Sequence, residues 1–437
     1  MRTSDDRRLT TAFIRVISLV GVGLVLRVLV ILYLVHVKPN ALSWGINEAG
    51  GIARWIVSNH SFSSPFHDAV GPTAWLGPGY PALVALSFLI FGVATPASVL
   101  AMMIFNALCS ALTAWVVYRI AMRTINQRAA LIAGWLWALS PYVMLMPFLL
   151  WDTSLSALLL AYAFLRTVEL EGGEAVDSPI GHSRIDSRVL HSRIFHPRVF
   201  HPRILHSKTF DSAACGAVWG VAGLVSPALL IPLPFLLAYL RIGKRRWMPP
   251  AIVAGAAFLV LMPWLVRDFV VFHRLLPVRS NGLAEVYFGN LGFEMHPLGP
   301  SMEYQRLGET AFVSRYGSLA LQYIAQHPGQ FVRDSMHRAA AFWTQPSGFR
   351  PLNLLIELAA LAALVMLFLR SPFRSMPFVA VLASYPLLYY ASQAFTRFRH
   401  PIEPLLYALA GCFFSQLGKN ARVGLWTKQS SLNGLRR

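Results

Sequence analysis

Residues 80–91 read YPALVALSFLIF, an apolar run that stops at Gly92. At 1.5 Å per residue it is too short to cross a hydrocarbon core about 30 Å thick. Its reading decides the topology of everything after it. Counted as a span, it places Arg119, Arg123 and Arg128 on the outer side, against the preference of Lys and Arg for cytoplasmic loops. Left out, as an interfacial or re-entrant helix, it keeps those arginines inside. We therefore expect a short helix at the membrane boundary.

The 437-residue chain is 56% hydrophobic and only 13% charged, with mean hydropathy +0.53; soluble domains carry roughly a quarter charged residues. This is the composition of an integral membrane protein. Its 38 Lys+Arg against 19 Asp+Glu give a formal charge of +19, which in a soluble protein would suggest nucleic acid. Here basic cytoplasmic loops absorb most of it, and no nucleic-acid partner is expected. Cys109, Cys215 and Cys412 lie in apolar runs without CxxC spacing, which supports neither a disulfide framework nor a zinc site. No small-residue cleavage site follows the first apolar run, so it is expected to be retained.

Apolar windows of about 20 residues predict an all-α integral membrane protein with about ten transmembrane helices and a long first outer loop carrying interfacial helices. The spans fall near 12–35, 98–118, 128–146, 148–166, 250–270, 351–369, 376–394 and 402–416. Two more form a hairpin within 213–240 that turns near Ser226-Pro227. Arg2, Arg7 and Arg8 set a cytoplasmic N-terminus (1–11), and a basic tail (417–437) ends at Arg436 and Arg437 on the same side. The membrane domain, 12–416, then has an outer loop 37–97, a cytoplasmic loop 167–211 and an outer segment 272–349. That segment holds HPGQFVRDSMHRAAAFW, expected to lie on the membrane surface.

The cytoplasmic loop contains HSRIFHPRVFHPRILHSK at 191–208. Its histidines are five apart, so on a helix neighbours would point about 140° from each other and form no facing pair. A weak metal-binding tract, a strip on anionic headgroups and a disordered insert all remain open. The arginines of this 182–208 region place the loop inside, and that puts Asp152, one span away, outside with Glu48.

With this orientation the outer boundary collects Glu48, Asp152, Arg267, Arg279, Arg397, Arg399 and His400. Charges at the edge of a hydrophobic protein are costly unless paired or functional. Glu48, with Ile52, Trp55 and Ile56 on helical spacing, is either a solvated carboxylate on an interfacial helix or a base whose pKa the membrane boundary raises. Arg27, in the middle of the first span, is functional or pairs with an acid on another span.

An acid just after the first span, then GPTAWLGPGYPALVALSFLIFG, then a second acid in LLWDTSLSALLL resembles the membrane-embedded glycosyltransferases of the C superfold. More narrowly, it resembles glycosyltransferase family 39 and the related mannosyl and arabinosyl transferases that use polyprenyl-phosphate sugars. The likeness runs from about residue 12 to 416. It implies that Glu48 in NEAG is the first-loop acid; many members have Asp-Glu there, whereas this chain has Asn47-Glu48. It implies that Asp152 is the second acid, placing acceptor or metal, although an Asp there also suits a helix N-cap. PWLVRDFVVFHRLLPVRSNGLAEVYFGN looks like the family's stretch after the seventh span, where Arg267 either serves the donor phosphate or simply pairs with Asp268. TRFRHPIEP resembles the Arg-rich turn before the last span. A guanidinium fork suits a phosphate leaving group, with Arg399 the first choice, Arg397 the second and His400 beside them, unless the turn only binds lipid headgroups.

The resemblance implies a glycosyltransferase, hexosyl or pentosyl, at the outer face of the cytoplasmic membrane. It would take a polyprenyl-phosphate sugar donor and a lipid, glycan or protein acceptor, with membrane lipids around it. A base (Glu48) and cationic leaving-group ligands on opposite faces of the sugar would give inverting displacement, by analogy with inverting glycosidases. No cofactor is certain. A divalent metal is compatible, but Glu48 and Asp152 alone are an incomplete ligand set. A polytopic transporter and a non-catalytic scaffold related to these enzymes stand as alternatives; the first would show paired internal repeats, and none is found.

Overall fold

The computed structural model of the protein describes residues 4–38, 40–44, 47–66, 71–172, 208–291, 299–344 and 349–417. The histidine repeat and the basic tail beyond 417 lie outside them. The described chain is helical, with one β-bridge, Ser63 to Pro72. In order the helices are α1 Ser4–Val37, α2 Glu48–Asn59, α3 Gly79–Phe91, α4 Pro96–Thr124, α5 Gln127–Leu139, α6 Pro141–Leu145 and α7 Thr153–Gly172. Next come α8 Lys208–Val225, α9 Leu233–Lys244, α10 Met248–Phe272, α11 Gly282–Leu291, α12 Gly299–Leu307, α13 Glu309–Gln326 and α14 Pro328–Thr344. Last are α15 Arg350–Arg370, α16 Pro372–Ser384, α17 Leu387–Ala391 and α18 Thr396–Arg399, followed by α19 at 403–417.

The chain is a multi-pass membrane protein. Among the described residues six segments are long and apolar enough to span: Ile14–Val37 of α1, α4, α7, Pro227–Lys244, α10 and α15. The pair of α5 with Pro141–Phe148, bent by 47°, makes seven if counted as one span. The sequence also counts α8, α16 with α17, and α19 as spans; these form helices but are shorter or less apolar than the other six. The spanning helices leave large apolar side chains on their outer surfaces, among them Val25 and Leu29 on α1, Phe258 and Leu259 on α10, and Leu358 and Leu361 on α15. Such side chains suit a hydrocarbon solvent.

The stretch 80–91 does form a separate short helix. α3 ends at Gly92, whose φ of +92° favours glycine, and it lies against α2 and α4. It buries Tyr80, Val84, Ala85 and Phe88 while Leu89 and Ile90 stay exposed. From residue 208 the chain runs back along α7 as expected. Asp211 at the start of α8 pairs with Arg166 on α7 at 3.5 Å, and the far end of α8 meets the 71–79 loop so closely that a Cβ on Gly77 would stand 2.4 Å from the Leu224 carbonyl oxygen. α9 then returns, and its Tyr239 hydroxyl donates to Glu171 near the C-terminal end of α7 (3.1 Å).

Arg27 has no acidic partner among the described residues; helix breakage supplies its acceptors instead. Pro141 lacks an N–H, so the Trp137 carbonyl loses its usual i+4 donor. Arg27 Nη2 donates to that oxygen at 3.2 Å, Nη1 to Ala138 O at 3.1 Å and Nε to Ser110 Oγ at 2.8 Å. Of the two readings, pairing with an acid finds none among the described residues; carbonyls at the α5–α6 bend and the Ser110 hydroxyl accept from this fully buried arginine instead.

The two ends of the bundle differ. One gathers Arg119 and Arg166 around Glu169, together with the basic last turns of α4, α9 and α15. The other is covered by α2, residues 61–66 and 71–78, and the helices α11–α14. There Trp75, Phe288, Tyr304 and Phe312 form a buried aromatic cluster. Glu309 fastens the loop from below, accepting from the Ala74 N–H at 2.7 Å and from the hydroxyls of Thr73 and Tyr304.

Candidate active site

Glu48 opens α2. Asn47 before it is the N-cap: its Oδ1 accepts from Gly50 N–H at 2.7 Å, while its Nδ2 donates to the Trp44 carbonyl at 3.3 Å. An aspartate could not make the second bond. The departure from Asp-Glu thus has a structural use, and it leaves Glu48, whose carboxylate makes no hydrogen bond among the described residues, at the helix start. α2 can sit deep because Gly51 abuts the chain at Ser64–Pro65, where a Cβ would be 2.8 Å from Pro65 O.

Asp152 lies in the loop between a 3-10 turn, Met146–Phe148, and α7. Asn106, buried on α4, holds that loop through the Leu149 carbonyl at 2.9 Å. The Asp152 carbonyl accepts from Ser156 N–H at 2.7 Å, so it occupies the helix-start position, and its carboxylate accepts from the Ser156 hydroxyl at 3.2 Å. Desolvation raises its pKa above the ordinary carboxylate value, against the opposing pull of Arg279, Ser156 and Arg397.

Arg397, on α18, has its guanidinium 4.2 Å from the Trp151 ring centroid and 5.0 Å from that of Phe398. Its Nε is buried without a hydrogen-bond partner, and the side chain makes no ion pair among the described residues. Burial lowers its pKa, and Glu48, Asp152 and Glu285 oppose that shift in this order. The two acids from the sequence and this arginine therefore share one electrostatic neighbourhood.

Two further members come from the segment that follows α10. Arg279 donates Nε to the Trp75 carbonyl at 2.9 Å and acts on both Asp152 and Glu285. Glu285 on α11 accepts from Asn281 Nδ2 at 2.9 Å. Its pKa is raised, first by desolvation and also by Glu48, with Arg279 and Arg397 pulling the other way. Arg279 stands out in the sequence as an outer charge. Glu285 does not, although the Asn281–Glu285 i,i+4 spacing is a legible helical pair.

The remaining sequence candidates are engaged elsewhere. Arg399, only 3% exposed, pairs with Glu357 of α15 at 2.5 Å and with Glu403 at 3.1 Å, and donates to the Trp343 carbonyl at 3.2 Å. His400 is fully buried, with Nδ1 2.6 Å from Glu403 Oε2 and its ring stacked on Trp137 at 5.3 Å. Arg267 pairs with Asp268 at 2.8 Å and binds the carbonyls of Thr73 (2.7 Å) and Phe62 (3.0 Å), which pins the 61–78 loop to α10. The guanidinium of Arg399 is thus already shared by two carboxylates, whereas that of Arg397 forms no ion pair among the described residues. Arg399→Ala is expected to strand Glu357 and Glu403 and to lower stability by about 3–5 kcal/mol. A thermal melt of the purified protein in detergent checks it; an unchanged melting temperature would contradict the assignment.

No three His, Cys, Asp or Glu side chains among the described residues gather closely enough to hold a metal ion. Glu48, Asp152 and Glu285 all act electrostatically on Arg397, and Arg279 acts on Asp152 and Glu285.

Residues 75–174 match the family model for dolichyl-phosphate-mannose-protein mannosyltransferases, a stretch from the loop before α3 to just past α7 that includes Asp152 and begins after Glu48. The fold is similar to that of the oligosaccharyltransferase of Archaeoglobus fulgidus solved with Zn and sulfate: TM-score 0.51 at 15% identity, over 91% of this chain and 51% of that one. The archaeal oligosaccharyltransferase AglB from the same organism, in complex with an inhibitory peptide and a dolichol-phosphate, gives 0.51 at 12% identity over 95% and 52%. The chain thus spans about half the length of these proteins. ArnT from Cupriavidus metallidurans in the apo state gives a TM-score of 0.40 at 13% identity, over 92% and 77%. No curated protein sequence matches the chain. The fold is thus similar to the membrane fold of the glycosyltransferase C proteins, and residues 75–174 resemble glycosyltransferase family 39.

Proposed function

We propose that this protein is a membrane glycosyltransferase that moves a sugar from a polyprenyl-phosphate carrier to an acceptor at the outer face of the cytoplasmic membrane. The observation that carries the reading is Arg397: a desolvated guanidinium with no hydrogen-bond or ion-pair partner among the described residues, within reach of the fields of Glu48, Asp152 and Glu285. A desolvated arginine without an anion awaits one, and a phosphate takes its fork in two parallel bonds. The segment matching the mannosyltransferase family, and the shared fold with a protein solved with dolichol-phosphate, support the same donor class.

In this reading Glu48 takes the proton from the acceptor O–H or N–H as that heteroatom attacks the anomeric carbon. The bond from that carbon to the phosphate oxygen breaks, its electron pair goes to the leaving phosphate, and Arg397 with Arg279 stabilises the charge. Asp152 orients Arg279 and Arg397 from the start of α7. Attack and departure on opposite faces give inversion. The basic opposite end of the bundle supports a cytoplasmic placement for it, with both termini inside and the site outside.

The donor class is tested by supplying polyprenyl-phosphate mannose, polyprenyl-phosphate arabinose and a nucleotide sugar to membranes with and without the protein. Protein-dependent release of polyprenyl phosphate from one of the lipid donors is expected; transfer from the nucleotide sugar alone would overturn the reading.

The raised carboxyls also give the site a pH dependence. Asp152 and Glu285 remain protonated at a pH where ordinary carboxylates have ionised, and each adds a negative charge beside the phosphate site when it finally titrates. The donor, a phosphodiester, keeps one charge throughout. Its KM is therefore expected to rise as pH increases through their raised pKa values, with the protonated site binding more tightly. A KM that falls over that range would contradict the assignment.

A further inference from the structure

Arg338, a half-buried residue on α14, reaches none of the five site residues, yet besides a bond to Ser335 Oγ on its own helix (3.2 Å) it makes three hydrogen bonds to the ends of two helices beside them. Nε donates to Tyr390 O at 2.7 Å, Nη1 to Gly289 O at 3.0 Å and Nη2 to Asn290 Oδ1 at 2.8 Å. Gly289 and Asn290 close α11, one turn beyond Glu285; Tyr390 closes α17, the short helix that precedes Arg397. Terminal carbonyls of helices lack intrahelical donors and carry the negative end of the dipole. One guanidinium thus satisfies two such ends at once. Asn290 completes the join by donating to Ala391 O at 3.0 Å. Backbone meets backbone there: a Cβ on Gly289 would stand 1.9 Å from Ser392 O. Trp343, also on α14, donates to the Tyr390 hydroxyl at 2.6 Å.

We propose that Arg338 is a positioning residue: it sets the placement of Glu285 on α11 relative to Arg397 beyond α17, and touches neither donor nor acceptor itself. The inference rests on the reading of Arg397 as the donor-phosphate ligand. Its chemical logic is that the α11 segment, which carries Glu285 and follows Arg279, and the α18 turn, which carries Arg397, must be held in register around the departing phosphate for an in-line displacement, where a misplacement of about 1 Å can cost on the order of a hundredfold in rate. Lysine cannot substitute, because a single ammonium does not span two carbonyls and an amide with a planar fork.

The test uses the full-length protein in nanodiscs with the lipid donor that supports transfer, and polyprenyl phosphate alone as the binding probe. For Arg338→Ala and Arg338→Lys, kcat is expected to fall by about tenfold or more, while donor KM and polyprenyl phosphate affinity stay within about threefold of wild type. Asn290→Ala should act in the same direction, and the double variant Arg338→Ala/Asn290→Ala should be less impaired than the product of the two singles, since both break one joint. A kcat within about twofold of wild type in Arg338→Ala overturns the proposal; so does a parallel fall of kcat and phosphate affinity in Asn290→Ala. Arg397→Ala is the control that separates the two levels: full transfer in that variant overturns the site itself, whereas its loss alongside normal Arg338→Ala kinetics overturns only the positioning role.

Discussion

Glu48→Gln is expected to abolish most sugar transfer, lowering the rate by about 10²–10⁴-fold, the range contributed by a positioned general base. The substitution keeps the size of the side chain and leaves the Asn47 cap and the burial of Ile52 and Ala53 untouched, so α2 should stay folded. What it removes is the one carboxylate of the group that makes no hydrogen bond among the described residues. It also removes a negative charge acting on Arg397 and Glu285. Donor KM should therefore stay level or fall while kcat collapses. The check is initial-rate kinetics with the competent lipid donor. Retained kcat would mean that another group, with Glu285 first in line, accepts the proton.

Arg397→Ala is expected to cost about 10²–10³-fold in kcat/KM, comparable with the loss of one donor to a developing oxyanion. Unlike Arg399→Ala, it breaks no ion pair, and the aromatic rings of Trp151, Phe395 and Phe398 that flank it remain in place. Its stability should change far less than that of Arg399→Ala. The pair of variants thus separates a ligand from a brace two residues away on the same turn: one loses activity with its fold intact, the other loses fold. Arg397→Lys should recover only part of the loss, because an ammonium offers a point charge where the guanidinium offers a planar fork.

Much of the fold and part of the site are legible in the amino-acid sequence. The length of 80–91 alone distinguishes α3 from a span, and the order of Glu48, Asp152 and TRFRHPIEP along the chain points to three residues, Glu48, Asp152 and Arg397, that the fold couples electrostatically. The choice within that turn is not legible from the arginines themselves. It depends on Glu403, four residues after Arg399 and so one helical turn away, and on Glu357, far upstream on α15. Arg27 misleads for a related reason: an intramembrane arginine suggests an acid, but the chain satisfies it with carbonyls that Pro141 frees. Glu285 and Arg279 come near Asp152 and Arg397 through tertiary contacts: Arg279 binds the Trp75 carbonyl, and Arg267 and Glu309 hold the neighbouring residues 62, 73 and 74. The number of spans is the least legible quantity, since α8, α16 with α17, and α19 are helices whose length or polarity leaves spanning undecided by composition.

The account stands most directly on where the lipid phosphate binds. Polyprenyl phosphate, titrated into wild type, Glu48→Gln and Arg397→Ala in nanodiscs, needs neither the sugar nor the acceptor to be known. The account predicts saturable binding to wild type, equal or tighter binding to Glu48→Gln, and affinity weakened by about tenfold or more in Arg397→Ala. Wild-type affinity in Arg397→Ala would contradict it.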